Sequence, residues 1–347
     1  MLLSRKLGSM ITTLQRTSKR TFKFMSSVDY HSTYKNYETV EKNDTNFQMP
    51  DWNKHNDSRY NTEQFYKLAN IQYDTGPVST VILDWSGTTA DKFVIAPAVI
   101  FKQLFDSIGV PITMKEARLP MGLRKDLHIK QILKIPEVKE RYIKIKGEKP
   151  TQNTVDELFK KFVPMQLECL SEYSTLLPGT VDVVDHLRQE YNIKIGMTTG
   201  FTSPMVDILL SEAKKQGFVP DFSVAGDEVE NGMGFRPTPF MIYKNLVNLE
   251  NGYPINSVVK VDDTVTGVWE GRNAGCLTVG VYGWSNYMDI DSYRQWKIMN
   301  NYQRLERIEK SKQILSTSGA HYVIDTINAL PRVIDDINER MIRGERP

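Results

Sequence analysis

From Pro77 onward the apolar positions fall into short β-branched runs separated by longer stretches with helical spacing. Val78-Ser79-Thr80-Val81-Ile82-Leu83 reads as a buried strand. A helical stretch follows from Pro97, with Val99, Ile100, Leu104 and Phe105 on its apolar face, and a charge-rich, mostly helical region runs to residue 175. A second series then begins at Pro178-Gly179. It pairs helix Val181–Gln189 with strand Ile193–Met197, and helix Pro204–Gln216 with strand Phe222–Ala225. Helix Pro239–Leu249 leads to strand Val258–Val261, and helix Val265–Ala274 to strand Leu277–Val281. Ser203 and Thr238 read as N-caps, each followed by proline at the first helical position. One long helix near 291–316, a strand at Tyr322–Ile324 and a final helix complete the pattern. Strands alternating with helices of this length predict an α/β, Rossmann-like, doubly wound parallel sheet. Its core spans 77–91 and 176–347, and a helical domain, 92–175, is inserted after the first strand.

The texture before Pro77 is different. Residues 1–28 hold Arg5, Lys6, Arg16, Lys19, Arg20 and Lys23 and no acid, while Leu3, Leu7, Met10, Ile11 and Leu14 recur at helical spacing. That is the composition of a mitochondrial transit peptide; a disordered basic tail on a cytoplasmic protein is the alternative. Residues 29–76 are polar and rich in Asn, Asp, Lys and Tyr, as in a linker or a loosely attached extension. Over all 347 residues, 44 Lys+Arg face 42 Asp+Glu. This near-neutral balance offers no electrostatic case for nucleic acid. No stretch approaches the roughly 18 apolar residues of a membrane span. Cys169 and Cys276 are far apart in sequence and read as core thiols of a reducing compartment.

Chemistry is expected where an open α/β sheet places its ligands, at the carboxyl ends of the strands. Asp84 ends the first strand, Thr198-Thr199-Gly200 the second, and Asp262-Asp263-Thr264 the fourth, with Arg236 in an intervening loop. An aspartate after a strand is often only a cap or turn residue, so each feature alone is weak. Together they suit attack on phosphorus. Asp84 and Asp263 can hold a hard Mg²⁺ that also takes waters and substrate oxygens. Thr199 and the Gly200 amide can donate to an anion, and Arg236 supplies a charge that resists deprotonation.

This constellation resembles the four motifs of the haloacid dehalogenase-like superfamily, in which the first aspartate forms an aspartyl-phosphate. The resemblance assigns Asp84 as nucleophile, and the Asp84 carboxylate, the Ser86 backbone carbonyl and Asp263 as Mg²⁺ ligands. Phosphatases of that superfamily commonly carry a second aspartate two residues after the first, as general acid for an oxygen leaving group. Ser86 stands there instead. A carbon leaving group is the alternative, and it needs an electron sink such as a lysine imine. The insert contains Glu116-Ala117-Arg118-Leu119-Pro120-Met121-Gly122-Leu123-Arg124-Lys125-Asp126-Leu127-His128. This is similar to the cap segment of the phosphonoacetaldehyde hydrolase (phosphonatase) family. By that resemblance the insert is a cap domain, Lys125 forms the Schiff base, and Met121 and His128 belong to the active site. The likeness continues through Asp91, Ala96-Pro97, Tyr243-Lys244-Asn245, Glu270–Gly275 and Gly319-Ala320-His321, so that it covers about 78–340. It implies hydrolysis of phosphonoacetaldehyde to acetaldehyde and phosphate by a homodimer, with the Lys125 amine activated by burial and by the neighbouring Arg124.

The chain departs from the family pattern in four places, one of them the loop Gly226–Phe235 before Arg236, which is longer than usual. The last motif, Gly-Asp-x-x-x-Asp in the family, reads Asp262-Asp263 with Gly267 at its end, and Asp262 is taken to replace the missing outer carboxylate. Phe201 stands where the family can have tyrosine, and Ser86 where alanine is common. Two other readings are kept in view: a phosphatase or phosphomutase of the same superfamily acting on a C–O–P ester, and a non-catalytic binding protein of this fold.

Overall fold

The computed structural model describes residues 77–229, 234–251 and 254–345. Segments 1–28 and 29–76 lie outside the described residues. Six parallel strands, β1 (Thr80–Leu83), β2 (Lys194–Thr198), β3 (Phe222–Val224), β4 (Val258–Asp262), β5 (Leu277–Val281) and β6 (Tyr322–Ile324), form one sheet in the order β3-β2-β1-β4-β5-β6. Successive side chains of a strand point to opposite faces, and both faces here are covered. Val81 and Leu83 pack with Ile195, Met197, Val259 and Val261 on one side. Ile82 packs with Ile242, Leu246 and Leu249 of the helix Phe240–Leu249 on the other. This doubly wound parallel sheet is the architecture expected from the alternating pattern.

Register does the positioning. Leu83 lies beside both Met197 and Val261, so the chain leaves β1, β2 and β4 at the same level of the sheet. Asp84, Thr198 and Asp262 follow together, with the Asp84 amide donating to the Val261 carbonyl at 3.0 Å. The central strand β1 has one neighbour on each side belonging to the opposite wings of the sheet. Its carboxyl end is therefore the topological switch point of the fold.

Between β1 and β2 lie the helices α1 (Ile95–Ser107), α2 (Met114–Arg118), α3 (Lys125–Ile132), α4 (Pro136–Lys146) and α5 (Gln152–Cys169), followed by the helix Thr180–Tyr191 that leads into β2. Phe101 of α1 stacks on Phe162 of α5 at 4.5 Å between ring centroids and on His128 of α3 at 3.9 Å, forming the aromatic centre of this helical cap. Two of its helices start at side-chain caps. Thr113 and Glu116 form a reciprocal capping box for α2, as do Thr151 and Thr154 for α5, each worth about 1 kcal/mol.

Three helices differ from expectation at their boundaries. The helix after β2 runs Ser203–Lys215 with Thr202 as N-cap, one residue earlier than Ser203, and Pro239 rather than Thr238 caps Phe240–Leu249. The single long helix expected near 291–316 is two, Tyr293–Ile298 and Asn301–Ser316. Met299 adopts an extended conformation, and the Asn300 side chain caps the second helix through a box with Gln303. An asparagine competes with the helix backbone for its own hydrogen bonds, and here it starts a new helix rather than continuing the old one.

Candidate active site

The strand-end residues converge on a buried cluster of charge. Carboxylate oxygens of Asp84, Asp262 and Asp263 all lie within 4.8 Å of one another. The Arg236 guanidinium sits among them, 2.8 Å from Asp84 Oδ1 and 3.3 Å from Asp262 Oδ2, and its Nε donates to Glu270 Oε2 at 2.8 Å. The same terminal nitrogen, Nη2, that meets Asp84 and Asp262 also lies 2.9 Å from both the Thr198 carbonyl and its hydroxyl. Lys260, fully buried in the middle of β4, bonds the same Thr198 hydroxyl at 2.8 Å and lies 3.0 Å from Asp262 Oδ2. Burial opposes the charge of Arg236, yet Asp262, Glu270 and Asp84 together hold it above the usual guanidinium range.

The donor set fits a divalent cation. Four buried carboxylates face two fixed cations, Arg236 and Lys260, leaving negative charge in excess. Burial, and then the charge of Asp262, pushes the Asp84 carboxyl up to about 6. Burial, Asp84 and Asp262 raise Asp263 well above the carboxylate range. Asp263 Oδ2 accepts the Asn286 amide at 2.8 Å, while its Oδ1 is buried without a partner among the described residues. An orphaned carboxylate oxygen in an over-negative cluster is the setting that a hard cation relieves.

The cap supplies the opposite wall. A cavity of about 30 Å³ is lined by Asp84, Ser86, Met121, Lys125, Thr199, Gly200, Arg236 and Asp263, with Phe201 among their neighbours. Lys125 is the first residue of α3 and is only 4% exposed, so it does not belong to a solvated basic face. Its Nζ lies 4.4 Å from the centroid of the Phe201 ring. Burial first, opposed by attraction to Asp84 and Asp91 and assisted by repulsion from Arg236, lowers the amine to about 8. A helix N-terminus disfavours a cation in the same direction. Arg124 is not the agent expected: its guanidinium is clamped by Asp126 at 2.7 and 2.8 Å, which spends its charge locally. Gly122 lets the cap loop dock, since a Cβ at its left-handed position (φ 92°) would meet the Thr266 hydroxyl at 2.3 Å.

His128 does not line the cavity. It faces the cap interior, with Nε2 2.8 Å from the Ala117 carbonyl, and burial followed by repulsion from Lys125 lowers its pKa well below the usual imidazole value. A stacked imidazole against Phe101 is a packing arrangement.

Comparison with known proteins adds to this geometry. Residues 81–281 match the family model described as haloacid dehalogenase-like hydrolase. The phosphonoacetaldehyde hydrolase of Bacillus cytotoxicus is 40% identical over 263 residues, which is 76% of this chain and 97% of that protein. The phosphonoacetaldehyde hydrolase of Pseudomonas fluorescens is 38% identical over 278 residues, 80% of this chain and 99% of its own. The chain belongs to the phosphonoacetaldehyde hydrolase family. A crystal structure of a phosphonoacetaldehyde hydrolase-like protein from Oleispira antarctica superposes with a TM-score of 0.74 at 37% identity, covering 78% of this chain and 96% of that one.

In this member of the phosphonoacetaldehyde hydrolase family, Asp262 and Gly267 fit one another in space. A Cβ built on Gly267 would lie 1.9 Å from Asp262 Cγ. The Asp262 carboxylate thus fills the space that a side chain at 267 would use. There Oδ1 accepts the Thr264 amide at 2.9 Å and hydroxyl at 2.7 Å, and Oδ2 faces Lys260 and Arg236. Attraction to Arg236 and Lys260 outweighs burial and keeps Asp262 below the usual carboxylate range.

Sequence reasoning missed Lys260, Glu270 and Asn286. Lys260 left a trace, as the one charged residue inside the apolar run of β4. A lysine buried in a central strand demands a partner. Asn286 left none, because it acts on Asp263 through its backbone amide.

Proposed function

We propose that this chain hydrolyses the carbon–phosphorus bond of phosphonoacetaldehyde, releasing acetaldehyde and phosphate. The observation that carries the reading is the placement of a buried lysine amine and a buried strand-end aspartate in one small cavity. A phosphate ester would need no amine there, and a binding protein would need neither group in this strained electrostatic state. Asp84 and Asp263, with the Ser86 carbonyl, would hold Mg²⁺, which when bound neutralises phosphonate charge against which an anionic nucleophile must approach.

The neutral Lys125 amine adds to the aldehyde carbon, one proton is taken up from solvent, and water leaves, giving a protonated imine. Asp84 attacks phosphorus, and the electrons of the breaking C–P bond flow into the imine to form an enamine. Thr199, the Gly200 amide and Arg236 bind the phosphonyl oxygens. Water then cleaves the aspartyl-phosphate, while the enamine takes a proton on carbon and is hydrolysed from Lys125. Met121 packs over the cavity beside Val94 and Ala98 and excludes water. His128, neutral and behind Lys125, keeps the α3 turn in place through Ala117. The Phe201 ring offers its face to the cationic imine. Asp262 replaces the outer carboxylate of the family pattern and steadies Arg236.

The test is direct: the full chain with Mg²⁺ and phosphonoacetaldehyde releases acetaldehyde and phosphate in equal amounts. Release of phosphate only from C–O–P esters would overturn the reading. A pH dependence follows. Only the neutral amine adds to the aldehyde, so with Lys125 at about 8 kcat/KM rises with pH up to that value and then levels. At pH 7 about one amine in ten is reactive, against about one in three thousand for an ordinary lysine. A profile that falls between pH 6 and 8 contradicts it.

We also infer that residues 1–28 direct the chain to mitochondria and that the enzyme is a homodimer. A fluorescent fusion lacking residues 1–28 then stays in the cytosol, and light scattering returns twice the chain mass. Import of the truncation, or a monomer mass, refutes the respective inference.

A further inference from the structure

We propose that Arg118 is a positioning residue that ties closure of the cap to the placement of the Asp263 carboxylate. The inference rests on the reading above, that Asp84 and Asp263 hold Mg²⁺. Arg118 ends α2 in the cap, yet it is 4% exposed because its side chain crosses into the core. There its Nη1 donates to Asn286 Oδ1 at 3.1 Å and to the Phe93 carbonyl at 2.7 Å, and its Nη2 donates to the Ile290 carbonyl. Its Nε lies 3.5 Å from Asp291 Oδ1. Asn286 answers by donating its Nδ2 to the Arg118 carbonyl at 3.3 Å. The same Asn286 donates its backbone amide to Asp263 Oδ2 at 2.8 Å, and Ser285 Oγ donates to the Asp263 carbonyl at 2.8 Å. One residue therefore separates a cap arginine from a candidate metal ligand.

The connection between cap and core is held by the same loop. Asp91, Phe93 and Val94 have φ of 51°, 69° and 54°, a left-handed conformation that residues with a Cβ rarely adopt and a β-branched one least of all. Such a segment keeps its shape only while its surroundings hold it. Arg118 grips the Phe93 carbonyl, the Trp284 carbonyl accepts the Phe93 amide at 2.8 Å, and the Phe93 ring rests against Trp284 and Trp296. The cavity beneath, about 30 Å³, has room for one or two waters, so the cap opens to admit an organophosphonate. Opening draws Arg118 away from Asn286 and frees the backbone that fixes Asp263. Coupling of this kind is reciprocal: whatever favours the closed cap tightens the cation site, and the cation favours closure.

Titration of the full-length protein with Mg²⁺ by calorimetry tests this without reference to turnover. Loss of an outer partner of a metal ligand typically weakens binding about 10–100-fold, and Arg118→Met is expected to fall in that range. Asn286→Ala keeps the backbone amide but loses the acceptor for Arg118, and it weakens binding comparably. The double variant is no worse than the poorer single one, because both break one connection. Arg118→Lys keeps the charge but cannot span the same acceptors. It gives an intermediate loss, and with Asn286→Ala it carries the test if Arg118→Met fails to fold. Arg141→Met, which removes the ion pair with Glu116 of α2 without touching the core, leaves Mg²⁺ affinity unchanged. Folded Arg118 variants that bind Mg²⁺ within about twofold of wild type, or losses that add in the double variant, overturn the proposal. Absence of Mg²⁺ binding by the wild type overturns this inference and the metal reading together; wild-type binding with unaffected variants overturns this inference alone.

Discussion

Asp84→Asn is expected to lower turnover of phosphonoacetaldehyde by at least about 10⁴-fold, the scale seen when a covalent nucleophile is removed. The amide is nearly the same shape and can still accept from Arg236, which lies 2.8 Å from Asp84 Oδ1, so the loss is chemical rather than architectural. Melting without added Mg²⁺ provides the check. The Asp84 carboxyl is raised from 3.8 to about 6 by burial and then by Asp262. The folded state therefore keeps a proton that the unfolded chain releases. The associated stability is complete below 3.8 and is lost as pH rises through about 6. Asparagine does not suffer that loss, so at neutral pH the metal-free variant melts no lower than the metal-free wild type. Added Mg²⁺ stabilises the wild type by mass action and raises its Tm by more than that of the variant. Turnover within tenfold of wild type would remove Asp84 from the nucleophile's role.

Lys125→Arg is expected to cost at least about 10³-fold in C–P cleavage, a loss set by removal of the amine that forms the covalent intermediate. Arginine retains the charge over Phe201 and near Asp84 but cannot form an imine, which separates electrostatic from covalent roles. Borohydride added to wild type with substrate should reduce the imine and leave a mass increment on the peptide bearing Lys125. No increment should appear with Lys125→Arg or without substrate. The phosphate-ester alternative makes the opposite prediction, since Lys125→Arg would then leave the favoured ester reaction largely intact. Full phosphonatase activity in the variant, with no trapped adduct in wild type, would end the imine mechanism.

The sheet and its switch point were legible because parallel strands buried on both faces read as short apolar runs, and each of β1, β2 and β4 ends in polar residues at a common level. Lys125 was legible only through the pattern around it; its burial is imposed by the docking of the Gly122 loop on Thr266, which no local spacing encodes. Lys260 and Glu270 escaped because their charges are compensated through space, across residues distant in the chain. Asn286 escaped because a backbone amide has no side-chain signature. His128 stands three residues after Lys125 on α3, yet the small rotation between them turns one side chain to the cavity and the other to Phe101.

The space occupied by the Asp262 carboxylate ties the residue tolerated at 267 to the one at 262. Aspartate placed at 267 with Asp262 still present would force a Cβ to within 1.9 Å of the resident carboxylate's carbon. Glycine at 262 alone would remove one of the two carboxylates, Asp262 and Glu270, that Arg236 and Lys260 share. Each single exchange is expected to lower stability, and the double exchange to recover part of the loss, because the two positions share one space. Melting temperatures of Asp262→Gly, Gly267→Asp and the combined variant would display that recovery, with the combined variant standing above both singles.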